Sequence, residues 1–160
     1  MAQSENGKTI RGEEWVNLYR KKNPAAGRWA EGYGAIQHSI ETQDRVFQMA
    51  NFLAAKGIHG DGAPLFELLH ALDRIASAAM WVVVHETYAR NVYLDGRQLV
   101  AGDFKPQPDG HTGGSLNMVP AYAGYMAINA ITGNTRSWIM GQGHCVAAID
   151  TVNLLLNNMT

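Results

Sequence analysis

Cysteine is almost absent: Cys145 is the single one in 160 residues. That excludes an internal disulfide framework and fits a reducing compartment. Neither sign of charge dominates, since 13 Lys and Arg stand against 14 Asp and Glu, for a formal net charge of −1. Such a balance gives no electrostatic footing for nucleic acid. Long apolar runs are lacking, none nearing the ~20 residues that cross a bilayer. The opening residues Met1–Lys8 are polar and have no apolar centre of the kind a signal peptide needs. Internal repeats, low-complexity segments and a linker to a second domain are also missing. The expectation is a soluble, cytoplasmic protein with no membrane or nucleic-acid partner. What the chain does have is 46% hydrophobic residues, enough for a sizeable core.

Most of that apolar content repeats with helical period. Residues 1–12 are polar and expected to fray. Trp15, Leu18 and Tyr19 predict a helix over 13–22, ending before Pro24. The Gly- and Ala-rich segment Ala25–Gly34, with Trp29 and Tyr33, reads as an ordered loop. Val46, Met49, Ala50 and Leu53 mark a helix from about Ser39 to Lys56, with Ser39 or Thr42 as cap and Gly57 as stop. From Pro64 a stripe of Leu65, Leu68, Leu69, Leu72, Ile75, Ala76 and Ala79 continues through Val82–Val84 to Tyr88, predicting a deeply placed helix of roughly 25 residues. After a turn at Asp95-Gly96 and an extended loop at 103–109, a helix is predicted from near Ser115 to about Ile131. Ser137–Met140 is the best strand candidate, followed by a glycine turn and a helix at Val146–Leu156. The expected fold class is predominantly α with one or two short strands.

Two glycine–histidine steps stand out. Gly110-His111-Thr112-Gly113-Gly114-Ser115-Leu116 lies 33 positions before the corresponding step in Gly141-Gln142-Gly143-His144. Glycine lets a backbone approach a ligand closely, and imidazole can donate, accept or shuttle a proton near neutral pH. An apolar strand, a glycine turn and a helix would bring a ligand to the strand's carboxyl end, where helix N–H groups favour an anion. Either step alone reads as an ordinary turn; the pair at the two ends of one helix–strand unit does not.

The first motif resembles the first histidine motif of transketolase-like thiamine diphosphate enzymes, and Gly141–His144 is similar to the Gly-Pro-Gly-His of their phosphoketolase branch, with Gln142 in place of proline. The likeness spans roughly residues 64–158. It implies the amino-terminal part of an α/β thiamine diphosphate-binding fold, with residues 1–60 as a helical extension and 61–160 as the start of the diphosphate-binding domain. It also implies a homodimer that binds thiamine diphosphate and Mg²⁺ and cleaves or transfers at the C2–C3 bond of ketose phosphates such as xylulose 5-phosphate, or epimerises them. The cofactor carries the carbanion chemistry while the protein orients and moves protons. Carried over, His111 and His144 act as catalytic residues beside the thiazolium and substrate, with Gly141, Gly143 and His144 against the cofactor. Ser115 and Asn117 are weaker candidates that serve better as helix caps. The family's metal motif, Gly-Asp-Gly with a later asparagine, follows the second histidine motif. None follows His144 here, so the 160 residues are expected to be a fragment, inactive alone.

Gly60-Asp61-Gly62 with Asn91 imitates that metal motif but precedes the histidines and follows a poor strand, so it reads as a turn. His70 and His85 lack partners at metal-ligand spacing and read as core or boundary residues; His38 and His59 read as loop or helix-end residues. Cys145 reads as a small buried hydrophobe, because adjacent residues rarely aim side chains at each other. The four tryptophans, without a basic stripe, belong to a core or interface. A different class of protein, a non-catalytic helical oligomerisation or regulatory module, accounts for the very apolar 64–88 helix equally well.

Overall fold

The computed structural model describes residues 2–3, 9–10, 12–58, 62–91, 93, 95, 97–141 and 143–159. The turn at Gly60-Asp61-Gly62, His59 and Gln142 therefore fall wholly or partly outside the described residues. These hold six α-helices, α1 (Glu13–Lys22), α2 (Pro24–Ala30), α3 (Ile40–Ala55), α4 (Ala63–Tyr88), α5 (Thr112–Thr132) and α6 (Ala147–Leu155), with 3₁₀ turns at Ala101–Asp103 and Gly143–Cys145. The chain is mostly helical, as its periodicity requires. No helix among the described residues is long and apolar enough to cross a membrane.

Local chemistry sets the helix ends. Glu13 and Glu14 open α1 and Arg20, Lys21 and Lys22 close it, each sign against the opposite end of the macrodipole. The Ser39 hydroxyl caps α3 by accepting from the Thr42 N–H. Gly133, in the left-handed conformation, closes α5. Val82–Val84 continue α4 as helix, because the buried positions Ala76, Ala79 and Val83 keep three- and four-residue spacing.

Two compact units are present, residues 1–74 and 75–160, and the division falls inside α4. The boundary expected at residue 60 follows the reach of the family resemblance, whereas this division follows packing. In the first unit Val16, Tyr19, Ala26, Trp29, Phe47, Leu65 and Phe66 form one buried cluster. Tyr19 stacks on Phe47 at 4.3 Å, and Phe66 meets Phe47 edge-on at 5.7 Å. In the second unit α5 buries Val119, Tyr122, Ala123 and Ala127 and α6 buries Ala148 and Val152. Tyr122 and Asn153 join these two helices, the tyrosine hydroxyl both donating to Oδ1 (3.3 Å) and accepting from Nδ2 (3.2 Å).

Four expectations need correction. Ala25–Gly34 is not all loop: Pro24 starts α2, whose Ala26, Trp29 and Ala30 are buried. Proline's fixed φ suits a first helical position, and burial of Trp29 outweighs the cost of Gly27 inside the helix. Ser137–Met140 is irregular and forms no strand. Its anchors are side chains: the Arg136 N–H donates to Asn129 Oδ1, the Tyr125 hydroxyl to the Arg136 carbonyl, and Trp138 packs on Tyr122 and Tyr125. The polar amino end is not simply frayed, since Ala2–Gln3 pairs antiparallel with Thr9–Ile10. Finally, α5 begins at Thr112, three residues before the expected start, so neither Ser115 nor Asn117 is its cap.

Candidate functional site

His111 is the cap. Gly110 precedes it at φ 109°, a conformation that side chains rarely tolerate, and this turns the chain from the 103–109 loop into α5. His111 then sits at the N-cap, its Nδ1 accepting from the Gly114 N–H at 2.9 Å. With Nδ1 an acceptor, the neutral ring carries its proton on Nε2 and can donate from that edge. Tyr88 at the end of α4 adds a neighbouring link, its hydroxyl accepting from Thr112 Oγ1 at 3.4 Å.

The 3₁₀ turn Gly143–Cys145, leading into α6, carries the second histidine to the first. The rings of His111 and His144 meet edge-to-face, centroids 4.5 Å apart and planes at 73°. Both side chains are exposed, while Cys145 beneath them is fully buried. Ligand atoms of all three residues lie within 4.8 Å of one another. Cys145 is thus buried as expected, but its adjacency to His144 does not keep the two side chains apart. Both of their ligand atoms come within 4.8 Å of a His111 ring nitrogen, so the Gly143–Cys145 turn brings two neighbouring side chains to one partner.

Gly114 is the keystone of this arrangement. A Cβ there would lie 2.4 Å from His111 Nδ1 and 2.7 Å from Cys145 Sγ, closer than atoms can pack. Gly113, Gly141 and Gly143 differ: a Cβ at any of them meets nothing within 4 Å. Space beside Gly141 and Gly143 leaves backbone open to a ligand, but no protein contact there demands glycine.

The other candidates resolve differently. Asn91 donates to Asp103 Oδ1 at 3.3 Å, within a loop clasp in which Asp103 also accepts from the Tyr93 hydroxyl (2.7 Å) and the Val100 N–H (2.9 Å). The Val100 and Tyr93 hydrogen bonds hold the Asp103 carboxyl below the usual carboxylate range, and donation to that carboxylate raises the Tyr93 hydroxyl. His85 Nδ1 lies 2.7 Å from the Trp81 carbonyl oxygen, and His70 Nδ1 is buried without a hydrogen bond. His38, expected as a loop or helix-end residue, forms a nearly buried pair with Asp73 at 2.8 Å and stacks on Trp29 at 4.3 Å. No local spacing announces that pair, whose members stand 35 positions apart.

Sequence reasoning missed three features of the site: the capping role of His111, the approach of Cys145 and the demand for Gly114. Only the i to i+3 step from His111 to Gly114 was visible, and histidine is not among the usual capping residues. Among the described residues, His111, His144 and Cys145 are the group of three or more side chains able to hold a metal. Nitrogen and sulfur suit borderline transition cations; Mg²⁺ requires oxygen. The group therefore does not fit Mg²⁺. No protein-family model, no curated protein and no solved structure matches this chain.

Proposed function

We propose that this chain carries the histidine-bearing part of a thiamine diphosphate site of the transketolase and phosphoketolase kind, acting on ketose phosphates such as xylulose 5-phosphate. The observation that supports this reading is the 4.5 Å approach of two imidazoles 33 positions apart, the pair that the resemblance assigns to one site. In it, the Nε2–H of His111 donates to a substrate hydroxyl or developing oxyanion, a role fixed by the N-cap bond at Nδ1. His144, against that ring and equally open to solvent, holds or moves a proton at the same substrate atoms. Thiamine diphosphate, when bound, supplies the carbanion-stabilising chemistry. The proposal gives these residues only the histidine part of the site, so alone they are expected to cleave no ketose phosphate. An α/β setting, a homodimer and a cytoplasmic location are parts of the same proposal.

The test is imidazole NMR of the chain during titration with thiamine diphosphate, Mg²⁺ and xylulose 5-phosphate. Resonances of His111 and His144 should shift while those of His38, His70 and His85 stay. His144→Ala should weaken the interaction about tenfold, the value of one hydrogen bond to a charged group. Unmoved His111 and His144 resonances, or detectable cleavage by the chain itself, would contradict the proposal.

A second reading, a helical oligomerisation module, is favoured by one observation. Ile128, Ile131, Leu154, Leu155, Leu156 and Met159 are all exposed in the second unit. Apolar side chains in that number are the material of an interface.

A further inference from the structure

We infer that His111, His144 and Cys145 form a binding site for a borderline divalent transition cation of the zinc class. The inference does not rest on the thiamine diphosphate reading; it needs only the three ligand atoms.

Their types and placement carry the argument. Two imidazoles and a thiolate, with a fourth position left to water or an exogenous ligand, match the donor preference of Zn²⁺ and Co²⁺. All three donor atoms fall within 4.8 Å of one another. Tetrahedral bonds of about 2.0–2.3 Å place ligand atoms roughly 3.5 Å apart, so no pair has to close by more than about 1.3 Å. Both histidines are exposed and can swing, while buried Cys145 provides the fixed floor. Gly114 keeps the space between Nδ1 of His111 and Sγ of Cys145 clear, the position a side chain would otherwise fill.

At His111, binding exchanges one bond for another. His111 Nδ1 now accepts from the Gly114 N–H, which leaves the ring proton on Nε2. A neutral histidine ligates through one nitrogen and keeps its proton on the other. Whichever nitrogen takes the metal, the cap to Gly114 is released, and the Cys145 thiol gives up its proton to solvent. The metal-free protein is thus capped at α5, and the metal-bound protein is tied from α5 to the turn before α6.

The experiment titrates the 160-residue chain, reduced and free of chelators, with Co²⁺. The expected result is a sulfur-to-cobalt charge-transfer band and visible d–d absorption of tetrahedral intensity, saturating at one equivalent and abolished by Zn²⁺. Cys145→Ser should remove the charge-transfer band while helical circular dichroism is kept. His144→Gln, on an exposed turn, should weaken Co²⁺ binding at least about tenfold without touching the fold. Absence of the charge-transfer band, or wild-type affinity in His144→Gln, would overturn the inference. Both outcomes are read without thiamine diphosphate or substrate, so failure here leaves the ketose-phosphate reading to its own test.

Discussion

Two neighbouring glycines have opposite roles at the start of α5. A Cβ on Gly114 would stand 2.4 Å from His111 Nδ1 and 2.7 Å from Cys145 Sγ, whereas one on Gly113 meets nothing. Gly114→Ala should therefore cost about 1–3 kcal/mol through overpacking. Gly113→Ala should be neutral or stabilising by up to about 1 kcal/mol, the helix-propensity gain. Paired urea unfolding curves of the two variants check this. Equal stabilities would show that the histidines do not crowd Gly114. In the first unit, Asp73 and His38 are each only about one-tenth exposed. Asp73→Ala is expected to cost about 1.5–3 kcal/mol, the value of a charge-assisted hydrogen bond. A double-mutant cycle with His38→Ala should return most of that cost as coupling.

Among the elements, α5 depends on its cap. His111→Ala removes the acceptor for the Gly114 N–H and should cost about 1 kcal/mol, while His111→Asn, a strong capping residue, should restore most of it. Thermal unfolding separates the two, and a His111→Asn protein no more stable than His111→Ala would refute the capping role. The periodic helices α1, α3, α4, α5 and α6 could be read from the chain because each repeats its apolar residues every three or four positions. What could not be read depended on distant partners. Ser137–Met140 has the composition of a strand, but a strand needs a neighbour to satisfy its backbone. Here Asn129 and Tyr125 of α5 satisfy the backbone of Arg136 instead, and Ile139 is left 92% exposed. The repeated glycine–histidine step and the resemblance both pair His111 with His144 in the sequence. Their approach to Cys145 is not legible there, because it depends on how the Gly143–Cys145 turn meets the start of α5, to which hydrophobic pattern is blind.

For the whole molecule, stability should depend on pH in two opposed ways. Asp103 is held below its ordinary value by the Val100 N–H and the Tyr93 hydroxyl, so its contribution is complete above about pH 4 and disappears as pH falls through the lowered value. Glu86 is raised, first by desolvation and then by Asp150, so its contribution is complete below about pH 4.3 and is lost as pH rises through the raised value. Asp103→Asn should flatten the acid limb of a stability–pH profile, and Glu86→Gln should raise stability at neutral pH. The exposed apolar side chains of the second unit also predict self-association, which sedimentation velocity of Leu155→Glu against the unaltered chain tests: a mass shift on substitution supports it, and identical monomer profiles refute it. Both the ketose-phosphate site and the metal site rest on the two histidines sharing one place. The most direct measurement is a nuclear Overhauser effect between the ring protons of His111 and His144. A cross-peak is expected that disappears in His144→Gln while the signals of His38, His70 and His85 stay unchanged; two assigned rings with no cross-peak would contradict the shared site.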